Sequence, residues 1–196
     1  LLANPSDQSL RIEPDAFPQV GPPGIDLPPR SVVVRPMSAQ PIAIGWASPI
    51  QPRGRVRLEC RIADAQPGIG GPVAWSFFTR LSDVVENPLP EGVLQDGQQL
   101  SIDAIPWIRM RPGEIVGLVI EAVEDDAPAA LTRVEFMVHE IDRAQRTWKL
   151  SDDLSRNLST DNPHPDRRGQ QDVWHFVQER DFRPKPVSSI IPTGSL

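Results

Sequence analysis

The chain has 196 residues, enough for one domain with a buried core, and its 23 prolines are about twice ordinary usage. Proline spread at that density breaks long helices and suits short strands joined by loops. The net charge of −6 argues against a general nucleic-acid binder, and no stretch approaches the roughly 20 apolar residues of a membrane helix.

Residues 1–30 read as an extended arm. Pro14, Pro18, Pro22, Pro23, Pro28 and Pro29 argue against a regular ladder, and Phe17, Ile25 and Leu27 are the docking points. The arm opens on Leu1 without a charged start or an apolar run, so no signal peptide is read there. With Leu rather than Met first, the chain is expected to be a processed protein or a piece of a longer one.

Residues 31–35 form the first strand candidate. Residues 41–48 form the second, with Ile42, Ile44 and Trp46 on one face. Residues 54–62 carry the clearest signal: Val56, Leu58, Cys60 and Ile62 alternate with Arg55, Arg57, Glu59 and Arg61. Cys60 therefore reads as a small buried apolar residue. As the only cysteine it can form no internal disulfide, and no cysteine zinc cluster or haem-attachment motif is present.

The glycine-rich loop 67–72 lacks the strand–helix context of a phosphate cradle. Strands are predicted again at 73–80 and 98–105. Residues 83–97 are broken by proline and glycine, and the segment 106–109 sits between strands. Residues 115–123 are almost continuously apolar, the pattern of a central strand covered on both faces. Residues 132–141 alternate through Val134, Phe136 and Val138. One or two helical turns are expected near 151–157, then a polar loop, then a strand at 173–177. The sum is all-β: an antiparallel sandwich or barrel.

Several short pieces in order resemble a β-sandwich segment of large planctomycete exported proteins that also carry cytochrome-c-like and uncharacterised domains. The pieces are Val32-Val33-Val34-Arg35-Pro36, Ile44-Gly45-Trp46-Ala47-Ser48-Pro49, Ile62-Ala63-Asp64-Ala65 and Val73-Ala74-Trp75-Ser76. Arg111-Pro112-Gly113-Glu114, Thr147-Trp148-Lys149-Leu150 with Asp153, and Asn162-Pro163-His164 with Asp166, Gly169, Trp174 and Phe176 complete the match, over about residues 30–180. The resemblance implies a jelly-roll-like sandwich similar to carbohydrate-binding modules, in an exported parent. It also implies an acidic residue after the glycine pair of the loop, where this chain has Pro72.

Four chemistries are open. The oxygen-rich run of Asp152, Asp153, Asp161, Asn162, His164 and Asp166 suggests a structural calcium held by Asp153, Asp161 and Asp166, against the plainer reading of a solvated turn. His164 and His175 with Asp166 raise a zinc site, and His164 with Asp166 a hydrolase site. No nucleophile elbow or singled-out carboxylate pair supports an enzyme. Trp107 is the exposed aromatic platform, with Arg109 beside it, whereas Trp46, Trp75 and Trp174 belong to the core.

The sequence thus predicts an arm at 1–30, a jelly-roll-like sandwich at 31–183 closed by 148–177, and a tail or linker at 184–196. It is a non-catalytic accessory module of a larger exported protein, with a glycan as its ligand. The alternative is a structural or docking module that orients neighbouring domains of the parent chain. The loop 161–169 should fold back over the sandwich and cover Trp148 and Trp174.

Overall fold

The computed structural model describes residues 2–4, 6–12, 24–37, 40–80, 89–124, 129–142, 144–154 and 162–178. In chain order these form β1 (Leu2–Asn4), β2 (Leu10–Ile12), β3 (Ile25–Leu27), β4 (Ser31–Val34), β5 (Ile42–Ala47), β6 (Gly54–Asp64) and β7 (Val73–Arg80). There follow β8 (Glu91–Leu94), β9 (Gln99–Met110), β10 (Ile115–Ala122), β11 (Thr132–Glu140), β12 (Thr147–Lys149), the single turn α1 (Leu150–Asp153) and β13 (Trp174–Gln178). The protein is all-β, and its sheets are antiparallel.

One sheet runs β1-β4-β11-β6-β9, with β12 beside the C-terminal half of β11. A second runs β13-β5-β10-β7-β8. Alternation decides which faces meet. Val56, Leu58, Cys60 and Ile62 of β6 and Val134, Phe136 and Val138 of β11 are fully buried. They share one core with Ile44, Trp46, Val116, Leu118 and Ile120 of the second sheet. Aromatic pairs join the sheets: edge-to-face contacts of Phe77 with Phe136 at 6.0 Å and of Phe136 with Trp174 at 5.9 Å, and a tilted pair of Trp46 with Trp148 at 5.0 Å between ring centroids. Such pairs add to area burial because a ring's positive edge meets its neighbour's negative face.

β10 lies between β5 and β7, which explains its unbroken apolar run. Its outward face is covered too: Ile115 is buried, and a Cβ on Gly117 would collide with the Phe78 ring.

Three expectations need correction. The arm is not ladder-free: β1 pairs with β4, and β2 pairs with β3. Ile25 and Leu27 dock as expected, in a small second core with Val33 and Leu131, while Phe17 lies outside the described residues. The broken stretch before residue 98 contributes the short edge strand β8. Trp107 lies within a strand, because β9 runs on to Met110 through two register shifts against β6. Among the described residues β9 pairs on one side only, and an edge strand is where a proline, which cannot donate to the ladder, is accommodated. The glycine loop has a packing reason: a Cβ at Gly70 would come within 2.7 Å of the Ala130 backbone nitrogen.

Candidate functional site

The polar segment 162–172 folds back on β13. His164 N donates to Trp174 O (2.6 Å), and Trp174 N donates to His164 O (2.9 Å). The Asn162 side chain then serves as a substitute strand partner: its Nδ2 donates to Phe176 O (2.6 Å), and its Oδ1 accepts from Phe176 N (3.0 Å).

Two carboxylates, one from α1 and one from the segment itself, each hold an indole. Asp153, at the end of α1, accepts from Trp174 Nε1 at 2.8 Å and from Arg167 N at 3.1 Å. Asp166 accepts from Trp148 Nε1 at 2.9 Å through Oδ2, while its Oδ1 accepts from Arg168 N and Gln170 N, each at 2.9 Å. Both acids are buried, as are both indoles. Gly169 closes the Asp166 turn with φ +81, a conformation that glycine adopts without steric cost. The Trp148 ring also carries Arg146 at 5.0 Å and Arg168 at 5.5 Å from its centroid.

These contacts bear on the calcium and hydrolase readings. All four oxygens of Asp153 and Asp166 accept N–H bonds, and Asp161 lies outside the described residues. No group of three or more His, Cys, Asp or Glu that could hold a metal occurs among the described residues. Each histidine of this region is held by a backbone carbonyl. His164 Nδ1 lies 2.8 Å from Pro165 O, and His175 Nε2 lies 3.0 Å from Asp172 O. A carbonyl can only accept, so the ring nitrogen named carries the proton in each case. His175 faces away from Trp174 and Phe176, toward Gly45, yet it is buried, and that burial pushes its pKa down. Burial is also the largest influence on Asp153, whose carboxyl is pushed up despite the bond from Trp174.

Trp107 is the opposite case. Four of the five indoles are at most 8% exposed, whereas Trp107 is 53% exposed. It projects from the outer face of the first sheet. The Arg55 guanidinium lies over its ring, 5.4 Å from the centroid. Arg55 is fixed in turn by Asp142, which accepts from Arg55 Nε and from Arg55 N, both at 2.8 Å. Those two bonds hold the Asp142 carboxyl below its usual range. Arg109 stands opposite Arg55 in the β6–β9 register, is exposed, and has no ion pair among the described residues. The indole is therefore oriented from one side by an anchored cation while half its surface meets solvent.

Of the residues singled out from sequence, Trp107 and Arg109 come together on one face with Arg55. Asp153 and Asp166 meet at a different place, under the folded-back loop. Arg55 was missed as part of the platform. Its alternation signal was visible, but its position over Trp107 depends on register shifts in β9 that no local pattern records.

Comparison with protein-family models, with curated proteins and with solved structures finds no match for this chain. No helix among the described residues is long and apolar enough to cross a membrane.

Proposed function

We propose that this chain is a non-catalytic accessory module that binds carbohydrate through Trp107, with Arg109 at the rim. The observation that carries the reading is the division of the indoles: four serve the core and one, held by Arg55, is left to solvent. An indole face is apolar and electron-rich, so it stacks on the C–H face of a sugar ring, while guanidinium donors reach the ring oxygens. The fold reading that accompanies this is a jelly roll. The strand pairs are nested: β4 with β11, β5 with β10, β6 with β9 and β7 with β8. Nested pairing is what results when one long antiparallel hairpin is rolled into two sheets. The resemblance to segments of planctomycete exported proteins supports export and attachment to neighbouring domains of a parent chain.

The alternative is a structural or docking module for those neighbouring domains. β9 favours it, as a long edge strand with pairing partners on one side only among the described residues. A glycan array probed with the 196-residue chain and with Trp107→Ala separates the two. Selective glycan binding that the substitution abolishes supports the sugar site. An array with no signal removes it and leaves docking.

A further inference from the structure

The outer face around Trp107 has a charge opposite to that of the protein. The chain carries 26 acidic and 20 basic residues. On this face the outward positions of β6 are Arg55, Arg57, Glu59 and Arg61, with Arg109 across the register on one side and Arg133 on the other strand, β11. Asp142 pairs with Arg55 at 2.6 Å, and Glu59 pairs with Arg57 at 2.6 Å. Arg61, Arg109 and Arg133 have no ion pair among the described residues, and Glu135 stands opposite Arg61 in register without closing one. From Arg55 to Arg61 the strip runs about 20 Å along the strand. It ends near Arg133, which lines a cavity of about 170 Å³ between the sheet and the arm strand β3.

Building on the sugar reading of Trp107, we propose that the ligand is an acidic polysaccharide, bearing carboxylate or sulfate groups and lying along β6. One sugar ring stacks on the free half of Trp107. Arg109 takes the acidic group beside it, and Arg61 and Arg133 meet later acidic groups along the chain. Guanidinium suits this role because its planar fork matches carboxylate and sulfate oxygens two at a time. Arg55, paired to Asp142, holds the indole, while Arg61, Arg109 and Arg133 close no salt bridge among the described residues, although the Asp142 charge also acts on Arg109. The strip is narrow and the rest of the protein is acidic, so a rigid polyanion that needs a broad basic surface is disfavoured.

The test uses the whole chain in affinity electrophoresis and titration calorimetry against polygalacturonate, heparin, neutral xylan and duplex DNA. The expected result is binding to one of the acidic polysaccharides, weakened by added salt as an ion-driven contact should be. Arg109→Ala and Trp107→Ala should each lower it by about tenfold or more with unchanged melting temperatures, and Arg61→Ala by less. Binding to xylan alone, lost in Trp107→Ala but not in Arg109→Ala, would overturn the acidic class and keep the sugar site. DNA bound as tightly as the polysaccharide would overturn the glycan class in favour of unspecific polyanion attraction. No binding to any of the four overturns both this inference and the sugar reading.

Discussion

The carboxylate at Asp166 gives the sharpest stability prediction. Replacing it by alanine strands three N–H donors: the Trp148 indole, which is fully buried, and the partly buried amides of Arg168 and Gln170. A buried donor left without a partner costs about 1–3 kcal/mol, and each of the two lost amide bonds about 1 kcal/mol. Asp166→Ala should therefore cost about 3–5 kcal/mol, a large part of the roughly 5–15 kcal/mol that holds an ordinary domain together. Asp166→Asn keeps one acceptor oxygen and should cost less. Urea denaturation followed by circular dichroism reads the difference as a shift in midpoint. A double-mutant cycle with Trp148→Phe should return a coupling of about 1–3 kcal/mol, since the aspartate and the indole then lose the same bond. If Asp166→Ala costs under about 0.5 kcal/mol, as a plain surface substitution does, the turn is solvated and the clamp reasoning is wrong.

Other expectations follow from the same geometry. Cys60 is fully buried and its thiol is pushed well up by that burial, so native labelling with a thiol reagent should be far slower than labelling in denaturant. Equal rates would mean that the β6 face is open. Because the oxygens of Asp153 and Asp166 already accept N–H bonds, a chelator should leave the melting temperature unchanged. A drop restored by calcium would place a metal at this loop. Asp153 has a raised folded-state pKa, so the native chain holds that proton more tightly than the unfolded chain does. Its contribution must fall as pH rises through the window just above the ordinary value of 3.8, and recover on acidification. The stability of wild type relative to Asp153→Asn should show that slope, and a slope of opposite sign refutes the burial argument.

Much of the fold was legible because period-two alternation is a local signal. β6 and β11 could be read residue by residue, and the continuous apolar run of β10 announced a strand covered on both sides. What alternation cannot record is which strand lies beside which. The nested pairing of β4 with β11 and β6 with β9 is decided by long-range packing. β8 escaped notice because four residues, Glu91–Leu94, of which only Leu94 is buried, carry almost no pattern. The acidic run before β13 was visible as chemistry, but its partners were not. Asp153 and Asp166 look like metal ligands in a sequence and serve indole N–H groups in the fold, because Trp148 and Trp174 reach them only after the loop turns back. Trp107 reads as exposed from sequence even with its segment set between strands, because an indole on the solvent side of the sheet stays exposed either way.

The proposed division of the indoles into four core rings and one sugar platform can be tested by fluorescence quenching. Acrylamide should quench Trp107 readily and the buried four slowly, and Trp107→Phe should remove the accessible fraction. Adding the bound acidic polysaccharide should then protect the accessible fraction in wild type and change nothing in Trp107→Phe. An accessible fraction that survives the substitution, or that the polysaccharide leaves unprotected while it binds, would contradict the account.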